Sequence, residues 1–239
     1  LGSRGAVLKS PYCDDPHNYG ILRTSAKDLK FYAKEIAEMG FQMNTHAIGD
    51  STVSVLLNEY KKVLKDIDDP RWRIEHSQVV DINEFELYND KILPSIQPTH
   101  ATSDMYWAYD RLGSRIKGAY AFKDLLRSSS RVALGTDFPV EKVNPFHTFY
   151  SSVERKDLNG YPENGFQMEN SLSREETLKG MTIWGAYFNF EEHEKGSLEI
   201  GKSADFVVLN QNVMEVEADL IPNTEVIQTY IDGELVYSK

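Results

Sequence analysis

Residues 41–50 read FQMNTHAIGD, and residues 73–78 read RIEHSQ. In each stretch a short strand pattern ends in a histidine, His46 in the first and His76 in the second. Between them, residues 52–65 carry apolar side chains at the spacing of an amphipathic helix. Strand, helix and strand joined by such short connections predict a βαβ unit, and therefore a parallel sheet covered by helices.

The alternation of helix and strand continues along the chain. The predicted helices are residues 24–39, 52–65, 81–89, 115–128 and 173–189, and the predicted strands are residues 41–46, 73–76, 93–97 and 131–136. Ser173 and Glu176 have the spacing of a capping box at the start of the last helix. The fold class is therefore α/β. Four βα units are too few to close an eight-stranded barrel, so they predict half of one or an open sheet.

The sequence pattern changes after Gly196. The following residues suggest short strands interrupted by glycine, and residues 206–209 form an apolar run typical of a buried strand. Near the C-terminus, Asp232-Gly233 separates two runs of alternating apolar and polar residues, which predicts a β-hairpin. We therefore predict two parts, an α/β body at residues 1–195 and a small β element at residues 196–239.

Composition and charge disfavour several classes of function. The formal net charge of −11 argues against nucleic acids and anionic membranes as partners, because phosphate binding depends on excess lysine and arginine. No run of about eighteen apolar residues is present, so no membrane span is predicted. The one cysteine, Cys13, excludes an intrachain disulfide. Residues 1–9 show no signal-peptide pattern, but a cleaved N-terminus would look the same, which leaves the compartment open with the cytoplasm favoured.

Three of the predicted strands end in residues that commonly bind metal ions. These residues are His46, His76 and Asp137. In a βα-barrel the C-terminal strand ends form one rim, and two imidazoles with a carboxylate suit zinc or a similar ion. A single histidine at a strand end is more often structural, and Asp137 could simply cap the turn that follows. The spacing alone leaves both interpretations open.

His100 and Asp137 are candidates for substrate binding and proton transfer. His100 follows the predicted strand at 93–97, where it could bind substrate or stabilise an oxyanion. The alternative is a loop histidine packed against Trp107 or Tyr106. Asp137 lies in the sequence GTDFP, and beside a metal ion it could accept a proton from water as a general base.

Four motifs together resemble a known family. They are THAIGD at 45–50, IEHSQ at 74–78, QPTH at 97–100 and GTDFPV at 135–140. In this order they resemble the amidohydrolase superfamily, within it the branch of metal-dependent hydrolases that includes N-substituted formamide deformylase. Residues 196–209 are similar to the segment in which that superfamily's chain leaves its barrel for a small β-sandwich. The opening LGSRGA is similar to the stretch after barrel strand four.

The resemblance implies a fold and a reaction. Residues 1–195 would form the C-terminal half of a TIM (β/α)8 barrel, about strands five to eight, and residues 196–239 a β segment of the sandwich domain. His46, His76 and Asp137 would bind a divalent metal, zinc foremost, as one or two ions. Asp137 would bind the metal, transfer a proton, or both, and His100, from its position after a strand, is the second catalytic candidate. Activated water would attack a small-molecule substrate at an amide-type carbon–nitrogen bond other than a peptide bond.

The sequence departs from the family in lacking any His-x-His pair, which supplies the family's first ligands. The lysine that bridges two ions in the family would fall before Leu1. We therefore expect a fragment that is inactive alone, with a weak or empty metal site. An exposed half-barrel edge would favour a homodimer or other self-association. The alternative is a non-catalytic α/β module, derived from a degenerate barrel, that binds a ligand or partner.

Overall fold

The structure is a computed structural model that describes all 239 residues, Leu1–Lys239. It divides into two units. The first unit comprises residues 1–96 and 103–132, and the second comprises residues 97–102 and 133–239. No helix in the chain is long and apolar enough to cross a membrane.

The first unit contains the predicted parallel sheet. Strand β1 (Asn44–Ala47) pairs with β2 (Trp72–His76), and β2 pairs with β3 (Ile92–Ile96), each in parallel. Helix α2 (Asp50–Val63) makes the crossover from β1 to β2. The βαβ unit read from residues 41–78 is therefore confirmed, with the strand ends shifted by a few residues.

Helix α2 packs on this sheet, α1 packs against α2, and both contribute to the buried core. Helix α1 (Ala26–Glu38) begins at Ser25, whose side chain accepts the backbone N–H of Asp28, and it packs against α2. The core face of α2 consists of side chains that are at most 1% exposed, namely Val53, Leu56, Leu57 and Tyr60. Their spacing of three and four residues is the one that predicted the helix.

Two further helices of the chain differ from the sequence prediction. Helix α3 (Pro98–Leu112) begins where the sequence predicted a loop after a strand. Pro98 stands in its first turn, where a helix needs no backbone donor, so the proline is compatible with the helix. The predicted helix at 115–128 is a 3₁₀ turn (Gly113–Gly118) followed by α4 (Phe122–Ser129). Buried Tyr120, with φ of +51°, interrupts it.

The predicted helix at residues 81–89 was mostly wrong. Only a 3₁₀ turn, Phe85–Leu87, forms there. The carboxylate of Asp81 accepts the backbone N–H of Asn83 at 3.0 Å, and Asn89 likewise accepts the N–H of Lys91 at 2.8 Å. Such local side-chain contacts offer the backbone an alternative to a helix.

After residues 97–102, the second unit continues with a strand of two residues, β4 (Ala133–Leu134). Helix α5 (Pro145–Glu154), which the sequence analysis missed, follows. The predicted helix at 173–189 is divided into α6 (Arg174–Met181) and α7 (Ile183–Phe188), with Thr182 outside helical geometry. The capping box of Ser173 and Glu176 is confirmed.

An antiparallel sheet closes the second unit. Strands β5 (Phe206–Leu209), β6 (Val226–Ile231) and β7 (Glu234–Ser238) pair in that order. The turn between β6 and β7 is Asp232-Gly233, both with positive φ, so the predicted hairpin is confirmed. The division at residues 195 and 196, and the numbering of the strands within a barrel, stay predictions.

Candidate metal centre and catalytic residues

His46 and His76 lie side by side at the ends of neighbouring strands. In the register of β1 and β2, His46 pairs with Glu75 and Ala47 pairs with His76. The two imidazole rings are 4.5 Å apart between centroids, with 76° between their planes. His76 is 8% exposed, whereas His46 is exposed. Parallel pairing thus brings together the two histidines that the sequence placed at successive strand ends.

The backbone at the end of β2 is strained. His76 has φ of +74° and Ser77 has φ of +45°, a region that costs a non-glycine residue about 1–3 kcal/mol. The Ser77 hydroxyl donates to the Ile74 carbonyl at 3.0 Å and accepts from the Tyr88 hydroxyl at 2.8 Å. Burial raises the pKa of Tyr88, which keeps this hydroxyl a donor. These contacts hold the turn that directs the His76 imidazole.

The two imidazoles fit a shared metal ion. Zinc–nitrogen bonds of about 2.0–2.1 Å place two ligand nitrogens roughly 3.3 Å apart on a tetrahedral ion. Rings with centroids 4.5 Å apart can supply nitrogens at that separation. Neutral imidazole is also a donor that zinc and similar borderline ions favour.

A cavity of about 280 Å³ lies beside His46 in the first unit. Its lining is largely apolar and includes Val7, Leu29 and Ile48, with Arg23 as its one cationic residue. The volume is close to the lower limit for a small-molecule pocket. The His46 side of the site therefore has room for a small ligand.

Asp50 connects the opening loop to the turn after β1, a role that the sequence analysis did not assign. Its side chain is 4% exposed and accepts the backbone N–H of Lys9 at 2.9 Å. Burial raises the pKa of this carboxyl, while the Lys9 hydrogen bond opposes the rise. The signal was present in the motif THAIGD, but the partner is 41 residues away and has no local pattern.

Gly49 is expected to tolerate no side chain. A Cβ at this position would lie 2.1 Å from the carbonyl oxygen of Val7, and backbone cannot move aside as a flexible side chain does. We expect Gly49→Ala to lower the free energy of unfolding by about 1–3 kcal/mol in urea denaturation. Gly135→Ala is the control, since a Cβ there meets nothing within 4 Å. Equal stability of the two variants would contradict the expected clash.

His100 and Asp137 form a hydrogen-bonded pair in the second unit. His100 lies in the first turn of α3 rather than in a loop, and its Nε2 is 2.9 Å from Oδ2 of Asp137. Asp137 follows β4 with φ of +58°. The Thr136 hydroxyl, not Asp137, accepts the N–H of Phe138 at 3.2 Å. The Asp137 side chain therefore faces an imidazole and does not cap the turn.

A third charged residue, Glu141, joins this pair. Its Oε1 is 3.3 Å from Nδ1 of His100. In the sequence this glutamate directly follows the motif GTDFPV, and it was not among the predicted site residues. The sequence offered one indication, a second carboxylate four residues after Asp137. Only the geometry of the turn shows that both acids reach the same imidazole.

Parallel strands that end in paired histidines, and a histidine between two carboxylates, define an α/β protein with a candidate metal-binding site. The sequence profile of the amidohydrolase family matches residues 1–237. The chain belongs to this family, as the four motifs predicted.

Relatives and solved structures agree with this assignment. The chain is 32% identical to Protein LONG AFTER FAR-RED 3 of Arabidopsis thaliana (99% of this chain, 41% of that protein) and to the putative amidohydrolase YtcJ of Bacillus subtilis (100% and 45%). It is 21% identical to N-substituted formamide deformylase of Arthrobacter pascens (99% and 46%). A metal-dependent hydrolase from Pyrococcus horikoshii superposes with a TM-score of 0.77 at 27% identity (91% and 44%). The chain thus spans less than half the length of the curated relatives it matches.

Proposed function

We propose that this chain carries part of the active site of a metal-dependent hydrolase for small molecules with amide-type carbon–nitrogen bonds other than peptide bonds. The observation that carries the proposal is the His46–His76 pair, at the ends of neighbouring strands with ring centroids 4.5 Å apart. Membership of the amidohydrolase family supports it. The name of the Arthrobacter relative, a formamide deformylase, supports the choice of bond.

His46, His76 and Asp137 are the proposed metal ligands, and zinc is the proposed ion. His100 is a further candidate, because neutral imidazole is a donor that zinc and similar borderline ions favour. A bound divalent ion would lower the pKa of water and polarise the substrate carbonyl. The number of ions, one or two, is a property of the complete site.

Asp137 and His100 are the proposed proton carriers. Asp137 accepts a proton from the attacking water as the water oxygen bonds to the carbonyl carbon. His100 Nε2, 2.9 Å from Asp137 Oδ2, is placed to receive that proton and to pass it to the leaving nitrogen as the carbon–nitrogen bond breaks. The products are a carboxylic acid and an amine, and both side chains return to their starting states.

This chain alone is proposed to be inactive. None of its six histidines forms a His-x-His pair, the motif that would supply the first ligands, so the proposed site is short of the donors that hold a catalytic ion. Self-association, with a dimer as the simplest form, stays a prediction. Strand β1 is the outer strand of its sheet, which is the kind of edge that pairs with other chains.

The cavity beside His46 favours a second candidate function, binding of a small ligand without catalysis.

Metal analysis together with an amide assay tests the proposal. The purified chain is dialysed against buffered zinc, analysed for metal, and supplied with N-formyl and N-acetyl amines with and without chelator. We expect bound zinc, at no more than one ion per chain, and no turnover. Absence of bound zinc at millimolar zinc would contradict the metal centre. Chelator-sensitive hydrolysis would contradict the proposed inactivity and establish the reaction directly.

A further inference from the structure

His100 lies between two carboxylates that come from one short turn. Its Nε2 is 2.9 Å from Asp137 and its Nδ1 is 3.3 Å from Glu141. The exposed fractions of the side chains are 11% for His100, 20% for Glu141 and 32% for Asp137. The contact with Glu141 is therefore more sheltered from water than the side of the ring that faces Asp137.

The turn itself sets the position of both acids. Asp137 adopts a left-handed backbone conformation, with φ of +58°. Its carbonyl oxygen then accepts the N–H of Val140 at 2.8 Å and that of Glu141 at 3.3 Å. These bonds curl residues 137–141 so that the Asp137 and Glu141 side chains reach opposite edges of the same imidazole.

The chemistry of the contacts assigns them different roles. An ionised carboxylate only accepts hydrogen bonds, so a ring nitrogen must carry a hydrogen to bond with either acid, and the hydrogen between Nε2 and Asp137 is the one that proton transfer moves. The hydrogen bond at one ring nitrogen decides the tautomer and leaves the other nitrogen for chemistry or for a metal. Glu141, on the sheltered side, is suited to the fixed contact, and Asp137, on the open side, to the exchanging one.

We propose that Glu141 is a positioning residue for His100, in which its carboxylate accepts the Nδ1–H and directs Nε2 towards Asp137. The orientation is a property of the chain itself, whereas its catalytic meaning rests on the proposed hydrolase function. Glu141 has no direct part in proton transfer, which runs between Asp137, Nε2 of His100 and the leaving nitrogen.

Nuclear magnetic resonance of the histidine rings tests this in the metal-free chain. In ¹⁵N-labelled wild-type protein, we expect His100 to show a protonated Nδ1 whose hydrogen exchanges slowly with water. Glu141→Ala should make this exchange faster by about tenfold, through loss of one charge-assisted hydrogen bond. Glu141→Gln keeps an oxygen acceptor and should give an intermediate rate. Glu163→Gln, at an exposed position, is the matched control and should leave the signal unchanged.

The outcomes separate this proposal from the hydrolase proposal. A wild-type His100 ring protonated only at Nε2 would overturn the positioning role, as would identical exchange in Glu141→Ala and Glu163→Gln. If Glu141→Ala does not fold by circular dichroism, the wild-type tautomer and the Glu141→Gln rate still decide the question. Because no metal or substrate is present, an absence of hydrolase activity leaves this readout untouched.

Discussion

His76→Ala is expected to lower the affinity of the chain for zinc by at least about 100-fold. Removing a residue that only hydrogen-bonds to a metal ligand lowers metal affinity by up to about 100-fold. His76 is proposed as a ligand itself, so its loss should cost at least as much. His76 is 8% exposed and its ring lies 4.5 Å from that of His46, so alanine leaves His46 without its partner donor. His46→Ala should show a loss of the same order, since each ring supplies one ligand.

Competition for zinc against a coloured chelator measures both affinities. His193→Ala is the control, because the side chain of His193 is 91% exposed and lies outside the proposed site. Denaturation curves recorded without metal separate a lost ligand from a lost fold. Zinc affinity that is unchanged in both His46→Ala and His76→Ala would exclude the histidine pair as the metal centre. If only His76→Ala lowers the zinc affinity, His46 is not a ligand and another residue supplies that donor.

The parallel sheet was predictable because its determinants are local. The apolar spacing of α2 and the histidine at each strand end are visible in residues 41–78, and parallel pairing then forces neighbouring strand ends together. His46 and His76 needed no information beyond strand type and order. The hairpin at Asp232-Gly233 was predictable for the same reason, since its turn chemistry lies in two adjacent residues.

His100 and Asp137 were predicted as site residues, but the structure around them was not. Pro98 and His100 looked like a loop because a proline after a strand usually ends regular structure, yet here it starts a helix. Glu141 was missed because its contact depends on the left-handed conformation of Asp137, which no sequence periodicity encodes. The strand before Asp137 was predicted at six residues and has two, so strand propensity alone did not predict its length.

Trp72→Ala is expected to lower the free energy of unfolding by about 3–5 kcal/mol, the range for removing a large buried aromatic side chain. Trp72 is 1% exposed at the start of β2, and its ring meets that of Tyr60 edge to face with centroids 4.8 Å apart. The indole N–H also donates to the carbonyl oxygen of Phe41 at 3.1 Å. One side chain thus joins β2 to α2 and to the segment before β1.

Urea denaturation of Trp72→Ala and Trp72→Phe separates the contribution of the buried ring to the free energy of unfolding from that of the indole hydrogen bond. The phenylalanine keeps an aromatic ring against Tyr60 and loses the indole hydrogen bond and some volume, so we expect a loss of about 1–2 kcal/mol. A loss in Trp72→Ala no larger than that would mean that the surrounding helix collapses into the space. Because Trp72 begins the strand that His76 ends, the alanine variant should also bind zinc more weakly while both histidines remain. Stability and metal affinity falling together would show that packing at one end of β2 determines the geometry at the other.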